Sequence, residues 1–101
     1  MVSIMANAPT KAQKLHFSAI VELGCIVDLE NVNQRCASPA EVHHIETGAG
    51  GRRNHDRVIP LCTLHHRGGL GIHHMGRRAW QSIYGTEQEL FEKTKKLLTK
   101  R

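Results

Sequence analysis

Histidine doublets dominate the middle of this chain of 101 residues. Seven of its eight histidines lie between Val42 and Met75. They are the pairs His43/His44, His65/His66 and His73/His74, and the single His55. Imidazole nitrogens bind divalent metals and also exchange protons near neutral pH. Because arginines are interleaved with the doublets, this region is predicted to hold a metal ion that acts on a phosphate group.

A second set of residues has the spacing of a structural zinc site. Zinc is commonly bound by four Cys, His or carboxylate ligands that come as two close pairs from separated turns. Cys62 and His65 form one such pair, and Cys25 begins the other. Two residues compete for the fourth position: Asp28, three residues after Cys25, and Cys36, farther along the chain. The alternative is that the cysteines are small buried hydrophobic residues.

The other histidines of the doublets predict a catalytic cation centre, with His43, His44, His66 and His73 as its residues. Neighbouring side chains of a strand point to opposite faces, but at the end of a strand both members of a doublet can reach one centre. One ring would then bind the cation, and the other would take a proton from the attacking water. The alternative is histidines that hydrogen-bond to the backbone of a loop-rich fold.

Charge and composition narrow the classes of protein. The chain has 14 Lys and Arg against 9 Asp and Glu, and six arginines lie among the histidines, at positions 52, 53, 57, 67, 77 and 78. This concentration favours a polyanionic partner, although a basic surface that only keeps a small protein soluble fits the charge equally well. Three cysteines argue against a closed disulfide framework, and no apolar run approaches the about 20 residues that span a bilayer. We therefore expect an intracellular protein with reduced thiols and no membrane role.

Periodicity and turn signals predict one small α+β domain over residues 9–101, after a disordered stretch at 1–8. A β-hairpin is expected between an N-terminal helix and C-terminal helices. The predicted helices are 10–23, 63–67, 77–84 and 87–99, and the predicted strands are 41–46 and 57–61. Residues 25–27 are expected to form a short strand or turn, and residues 30–39 a loop.

The order of the motifs resembles that of a nuclease family. The runs VHHI, RVIPLCTLHH and IHHMGRRAW resemble the ββα-metal, treble-clef-like core of HNH endonucleases. Together with ELGCIV, SPAEVHHIETGAG and GRRAWQSIYGTEQEL, they resemble the phage recombination-enhancement (Ref-like) nucleases, whose described activity depends on RecA filaments. The resemblance covers residues 14–98, nearly the entire chain.

This resemblance implies a role for each histidine of the centre. His44, at the end of the first strand, would be the general base. His43, His66 and His73 would bind the catalytic cation, which is Mg²⁺ or Mn²⁺, with Zn²⁺ also able to occupy an imidazole-rich site. The middle Asn of the HNH motif is not plainly present: Asn54 and His55 are nearest, and Arg57 stands closer to its usual spacing.

The resemblance also implies that Cys25, Cys62 and His65 bind a bracing structural Zn²⁺. Family members often have Cys-x2-Cys at the first knuckle, where this chain has Asp28, so either Asp28 or Cys36 is the fourth ligand or the site is incomplete. The arginines expected to contact DNA phosphates are Arg52, Arg53, Arg67, Arg77 and Arg78.

The expected function is hydrolysis of DNA phosphodiester bonds with low sequence specificity. The family implies a RecA filament as a further partner, and a phage or prophage protein in the bacterial host cytoplasm. Two alternatives stay open: a non-catalytic, zinc-stabilised DNA-binding accessory module, which would not need His44, and a structural protein whose histidines merely buffer metal.

Overall fold

The computed structural model describes residues 8–30, 39–45 and 54–100. The chain forms a small α+β domain. Its elements in chain order are α1 (Lys11–Leu23), α2 (Ile26–Glu30), β1 (Ala40–His44), β2 (Val58–Cys62), α3 (Thr63–His66), α4 (Ile72–Met75), α5 (Arg77–Tyr84) and α6 (Glu87–Thr99). Three predicted site residues, Cys36, Arg52 and Arg53, lie outside the described residues. The stretch predicted to be disordered, residues 1–8, also lies outside them except for residue 8.

The two strands form the predicted antiparallel hairpin, with Val42 opposite Pro60 and His43 opposite Ile59. The N–H of Ile45 donates to the carbonyl of Arg57 at 2.9 Å. Hydrogen-bonded and non-hydrogen-bonded pairs alternate along an antiparallel ladder, so Pro60 occupies a non-hydrogen-bonded position. Its missing N–H therefore leaves the ladder intact.

A capping box is present at the start of each of the two long helices. The Thr10 hydroxyl accepts from the backbone N–H of Gln13 while the Gln13 side chain accepts from the Thr10 N–H, and Thr86 and Glu89 do the same at α6. Each such box satisfies two backbone donors that the helix itself cannot pair. These local signals explain why the boundaries of α1 and α6 match the prediction closely.

The buried face of α1 includes polar side chains. Leu15, although apolar, is 66% exposed. The inward-facing residues include Gln13, His16, Phe17 and Ile20, which are half-buried or buried. They recur at helical spacing, but two of them are polar, so hydrophobic residues alone do not mark the buried face of this helix.

Two short elements were also predicted incorrectly or missed. The expected strand or turn at residues 25–27 is wrong, because Ile26 begins α2; a buried run this short does not distinguish a strand from a single helical turn. Helix α4 was not anticipated, since Gly68, Gly69 and Gly71 interrupt the pattern before it.

The core lies between the hairpin and the helices that cover it. Trp80 of α5 is fully buried, and its indole N–H donates to the carbonyl of Leu70 at 3.1 Å. All five residues of β2 are buried, and Leu90 and Phe91 of α6 pack in the same cluster. The hairpin, α3 and α4 are thereby held in place around the histidines.

Candidate metal centres and active site

Four residues from two segments of the chain converge on the first cluster: Cys25, Asp28, Cys62 and His65. Their ligand atoms all lie within 4.8 Å of one another. His65 Nδ1 is 3.2 Å from Cys62 Sγ, 3.8 Å from Cys25 Sγ and 3.9 Å from Asp28 Oδ1. A tetrahedral zinc ion with bonds of about 2.0–2.3 Å separates its ligands by roughly 3.3–3.8 Å, so this cluster has the right size for zinc.

The fold explains how these four side chains meet. Cys25 directly precedes α2 and Asp28 lies in its first turn, while Cys62 ends β2 and His65 follows within α3. Burial raises the pKa of the Cys25 thiol to about 11 and lowers the pKa of His65. A divalent cation would replace the thiol protons, so metal binding here would release protons and stabilise the fold.

Three imidazoles form the second cluster: His43, His66 and His73, with ligand atoms within 4.8 Å of one another. Their ring centres are separated by 5.1 Å (His43 to His66), 5.3 Å (His43 to His73) and 4.8 Å (His66 to His73). Three imidazoles that bind one ion at about 2.1 Å have ring centres roughly 5 Å apart. The cluster is therefore suited to a cation that keeps coordination positions for water or substrate.

Gly71 allows the last of these histidines to reach the others. A Cβ atom at Gly71 would lie 2.6 Å from the backbone nitrogen of Arg67 and 2.6 Å from the carbonyl carbon of His66. The chain between α3 and α4 thus folds back with no room for a side chain. This close approach brings His73 of α4 beside His66 at the end of α3.

Two carboxylates that the sequence analysis did not single out contact this cluster. The first is Glu41 of β1, whose Oε1 lies 2.8 Å from His66 Nδ1. Glu41 also accepts hydrogen bonds from the Arg67 guanidinium at 3.2 and 2.8 Å and from the Thr63 hydroxyl at 3.1 Å. The Arg67 hydrogen bonds, followed by that of His66, lower the pKa of Glu41 to about 2. Burial lowers the pKa of His66.

The second carboxylate is Glu87, the first residue of α6. Its Oε2 lies 2.7 Å from His43 Nε2, and its Oε1 lies 2.8 Å from Arg77 Nε. The backbone N–H of Glu87 donates to the side-chain oxygen of Gln81 at 2.7 Å. Glu87 is 4% exposed. A glutamate directly after an N-cap threonine is usually exposed and interacts favourably with the helix dipole. The sequence therefore gives no sign that Glu87 is buried.

The doublet at the end of β1 is divided between two faces of the strand. His44 Nε2 lies 2.9 Å from His55 Nδ1, and the Phe17 ring contacts both imidazoles edge-on with ring centres 5.8 Å away. Among the described residues, His44 belongs to neither metal cluster. The expectation that both members of this doublet reach one centre is therefore wrong: His43 lies in the imidazole cluster and His44 does not.

The loop before β2 carries the residues that were compared with the middle Asn of the HNH motif. The Asn54 side chain accepts from the backbone N–H of Asp56 at 2.9 Å, and the Asn54 carbonyl accepts from the N–H of Arg57 at 3.1 Å. Asn54 therefore shapes the turn, and its neighbour His55 contacts His44. Arg57 is directed elsewhere: it donates to Gln88 at 2.6 Å and its guanidinium lies 4.9 Å from the centre of the Phe91 ring.

The predicted phosphate-binding arginines differ in their surroundings. Arg67 and Arg77 each contact a carboxylate that in turn contacts a cluster histidine, and both remain substantially exposed. Arg78 is exposed at the start of α5. No helix within the described residues is both long and apolar enough to cross a membrane.

Comparison with known proteins agrees with the nuclease interpretation. The model of one family, described as recombination enhancement, RecA-dependent nuclease, matches residues 9–99. Neither the curated proteins nor the solved structures searched contain a match. Because the family model spans nearly the whole chain, this protein belongs to the recombination-enhancement, RecA-dependent nuclease family.

Proposed function

We propose that this protein is an HNH-type endonuclease that hydrolyses DNA phosphodiester bonds with the help of a divalent cation. The observation that carries the proposal is the cluster of His43, His66 and His73. His43 lies on β1, directly before His44. The elements follow one another as strand, strand and helix, which is the order of a ββα-metal core. Family membership supports nuclease activity on its own.

Each group has a distinct chemical task in this proposal. His43, His66 and His73 would hold the cation, whose positive charge would stabilise the phosphate in the transition state and the departing oxygen. His44 accepts a proton from water as the water oxygen attacks phosphorus. The phosphorus–oxygen bond opposite the attacking water breaks, and its electron pair leaves with the departing oxygen. His55 holds the His44 ring through their 2.9 Å contact.

The cluster of Cys25, Asp28, Cys62 and His65 serves the fold in this proposal. A zinc ion there would join α2 to the junction of β2 and α3. His65 and His66 are consecutive residues of α3, so a metal ion that holds His65 also holds the backbone of His66 in place. The bracing site therefore supports the geometry of the catalytic one.

DNA would be bound chiefly through its phosphates. Arginine contacts to phosphates give affinity that does not depend on base sequence, so we propose low sequence specificity. Arg67 and Arg77 contact the carboxylates beside the imidazole cluster, and Arg78 is exposed next to Arg77 at the start of α5. Dependence on a RecA filament, and a role in recombination, come from the family to which the chain belongs.

The decisive experiment compares nicking of single-stranded and double-stranded DNA by the wild type and by His44→Ala. Each DNA is tested with Mg²⁺ or Mn²⁺, with and without RecA filaments. His74→Ala is the matched control, because His74 is exposed and lies outside both clusters of the described residues. We expect His44→Ala to abolish nicking while it retains DNA binding, and His74→Ala to cut normally. Binding without cutting by the wild type in every condition would instead establish a DNA-binding accessory module.

A further inference from the structure

We infer that Glu87 is a positioning residue for the cation centre, which it serves by fixing His43 so that Nδ1 faces the cation. This inference rests on the proposed cation centre and adds a residue from the C-terminal helix to it. Glu87 itself is not among the clustered ligands.

The hydrogen bond between the two side chains determines which nitrogen of His43 carries the proton. Glu87 Oε2 lies 2.7 Å from His43 Nε2, and the two side chains are 5% and 4% exposed. An ionised carboxylate only accepts hydrogen bonds, so His43 Nε2 must be the donor. A neutral imidazole that carries its proton on Nε2 has its lone pair on Nδ1. His43 is thereby prepared to bind a cation through Nδ1.

Glu87 is held from three directions, as a positioning residue must be. Its second oxygen lies 2.8 Å from Arg77 Nε of α5, and its backbone N–H donates to Gln81 at 2.7 Å. The carboxylate therefore has both oxygens in contact with nitrogen donors. This arrangement favours a hydrogen-bonding role over direct coordination, in which one oxygen would have to leave its donor.

His66 is arranged in the same way but through its other nitrogen. Its Nδ1 contacts Glu41, which is in turn contacted by Arg67, so His66 presents Nε2 to the cation. The centre thus has two relays of histidine, glutamate and arginine, one from the start of β1 and one from α5 and α6. The two imidazoles are predicted to bind through different nitrogens. Carboxylates of this kind typically change metal affinity by about 10–100-fold when removed.

The test uses the full chain with Mn²⁺ alone as the probe. We expect Glu87→Ala to weaken Mn²⁺ binding about 10–100-fold, and Glu87→Gln to weaken it less, because a glutamine oxygen still accepts from Nε2. Glu89→Gln is the matched control: Glu89 is exposed on the same helix, and glutamine preserves its capping box. Thermal unfolding of each variant confirms that it is folded. Nitrogen-15 NMR of the cation-free wild type should find the His43 proton on Nε2.

Three results would overturn the inference. Wild-type Mn²⁺ affinity in a folded Glu87→Ala variant would remove the positioning role. An equal, complete loss in Glu87→Ala and Glu87→Gln would make Glu87 a direct ligand, and a His43 proton on Nδ1 would reverse the assigned nitrogen. Failure of the proposed centre looks different: His43→Ala would then bind Mn²⁺ as well as the wild type, whereas the tautomer measured without cation would still report on Glu87.

Discussion

His44 and His55 share a hydrogen bond, with Nε2 of one ring 2.9 Å from Nδ1 of the other. One of these nitrogens must donate and the other accept, so the tautomers of the two rings are linked. Phe17 lies against both imidazoles and limits their rotation. The proposed general base is therefore oriented by a histidine from the loop that precedes β2.

Replacing His55 should impair chemistry more than DNA binding. We expect His55→Ala to lower kcat for nicking about tenfold or more and to leave KM nearly unchanged, because the base loses its orienting partner. His55→Asn should restore part of the rate, since an amide can also hydrogen-bond to the ring. Steady-state nicking assays over a range of DNA concentrations measure both values, with His74→Ala as the control. Wild-type rates in His55→Ala would show that the contact has no role in the reaction.

The first cluster predicts a loss of zinc and of stability in Cys62→Ser. Cys62 is fully buried and lies 3.2 Å from His65. Structural zinc contributes its binding free energy to folding, about 10 kcal/mol or more in small zinc domains, so the free energy of unfolding should fall by several kcal/mol. Metal analysis and denaturant unfolding measure the two effects. Unchanged zinc content and unchanged stability would contradict a zinc site here.

A pair of variants identifies the fourth zinc ligand. Asp28 lies within the cluster, so Asp28→Asn is expected to weaken zinc retention against a competing chelator. Cys36→Ser should retain zinc as the wild type does. The opposite pattern would assign the position to Cys36.

Gly71 offers a test of how the histidine cluster is assembled. Gly71→Ala would place a methyl group 2.6 Å from the backbone around His66, and overpacking of this kind costs about 1–3 kcal/mol. Relief of the clash would move α4, so Mn²⁺ affinity should fall together with stability. Gly69→Ala is the matched control, because its methyl group would meet nothing within 4 Å. Equal Mn²⁺ affinity in both variants would show that α4 does not need this close approach.

The lowered pKa of Glu41 predicts that the free energy of unfolding decreases in acid. Its pKa falls from 4.5 to about 2 through hydrogen bonds from Arg67 and His66, so the fold favours the ionised form. This contribution is fully present above pH 4.5 and is lost as the pH falls toward 2. The stability difference between the wild type and Glu41→Gln should therefore shrink over that range. Urea unfolding with a chelator measures it, and Glu92→Gln, an exposed change on α6, should show no comparable trend.

Much of the candidate site follows from spacing along the chain. The pair Cys62 and His65 predicts half of one cluster because a strand end followed by a helical turn brings such residues together. The capping threonines Thr10 and Thr86 fix the long helices by local hydrogen bonds. These features depend on neighbours in sequence, which is why they could be predicted.

The carboxylates could not be predicted, because their roles depend on packing between distant elements. Glu41 looks like an exposed strand residue and Glu87 like an ordinary first-turn glutamate. Each reaches a cluster histidine only after α3, α5 and α6 have packed against the hairpin. The same dependence explains why the apolar Leu15 is exposed, since the partner of α1 decides which of its faces is buried.

The contact between His43 and Glu87 can form only late in the synthesis of the chain. The two residues are 44 positions apart, and Glu87 belongs to α6, the last helix of the described residues. A nascent chain that ends before Glu87 contains all three imidazoles but lacks the carboxylate that orients one of them. The proposed centre would thus be completed only when α6 docks, so an unfinished polypeptide on the ribosome would not yet carry the finished cation site.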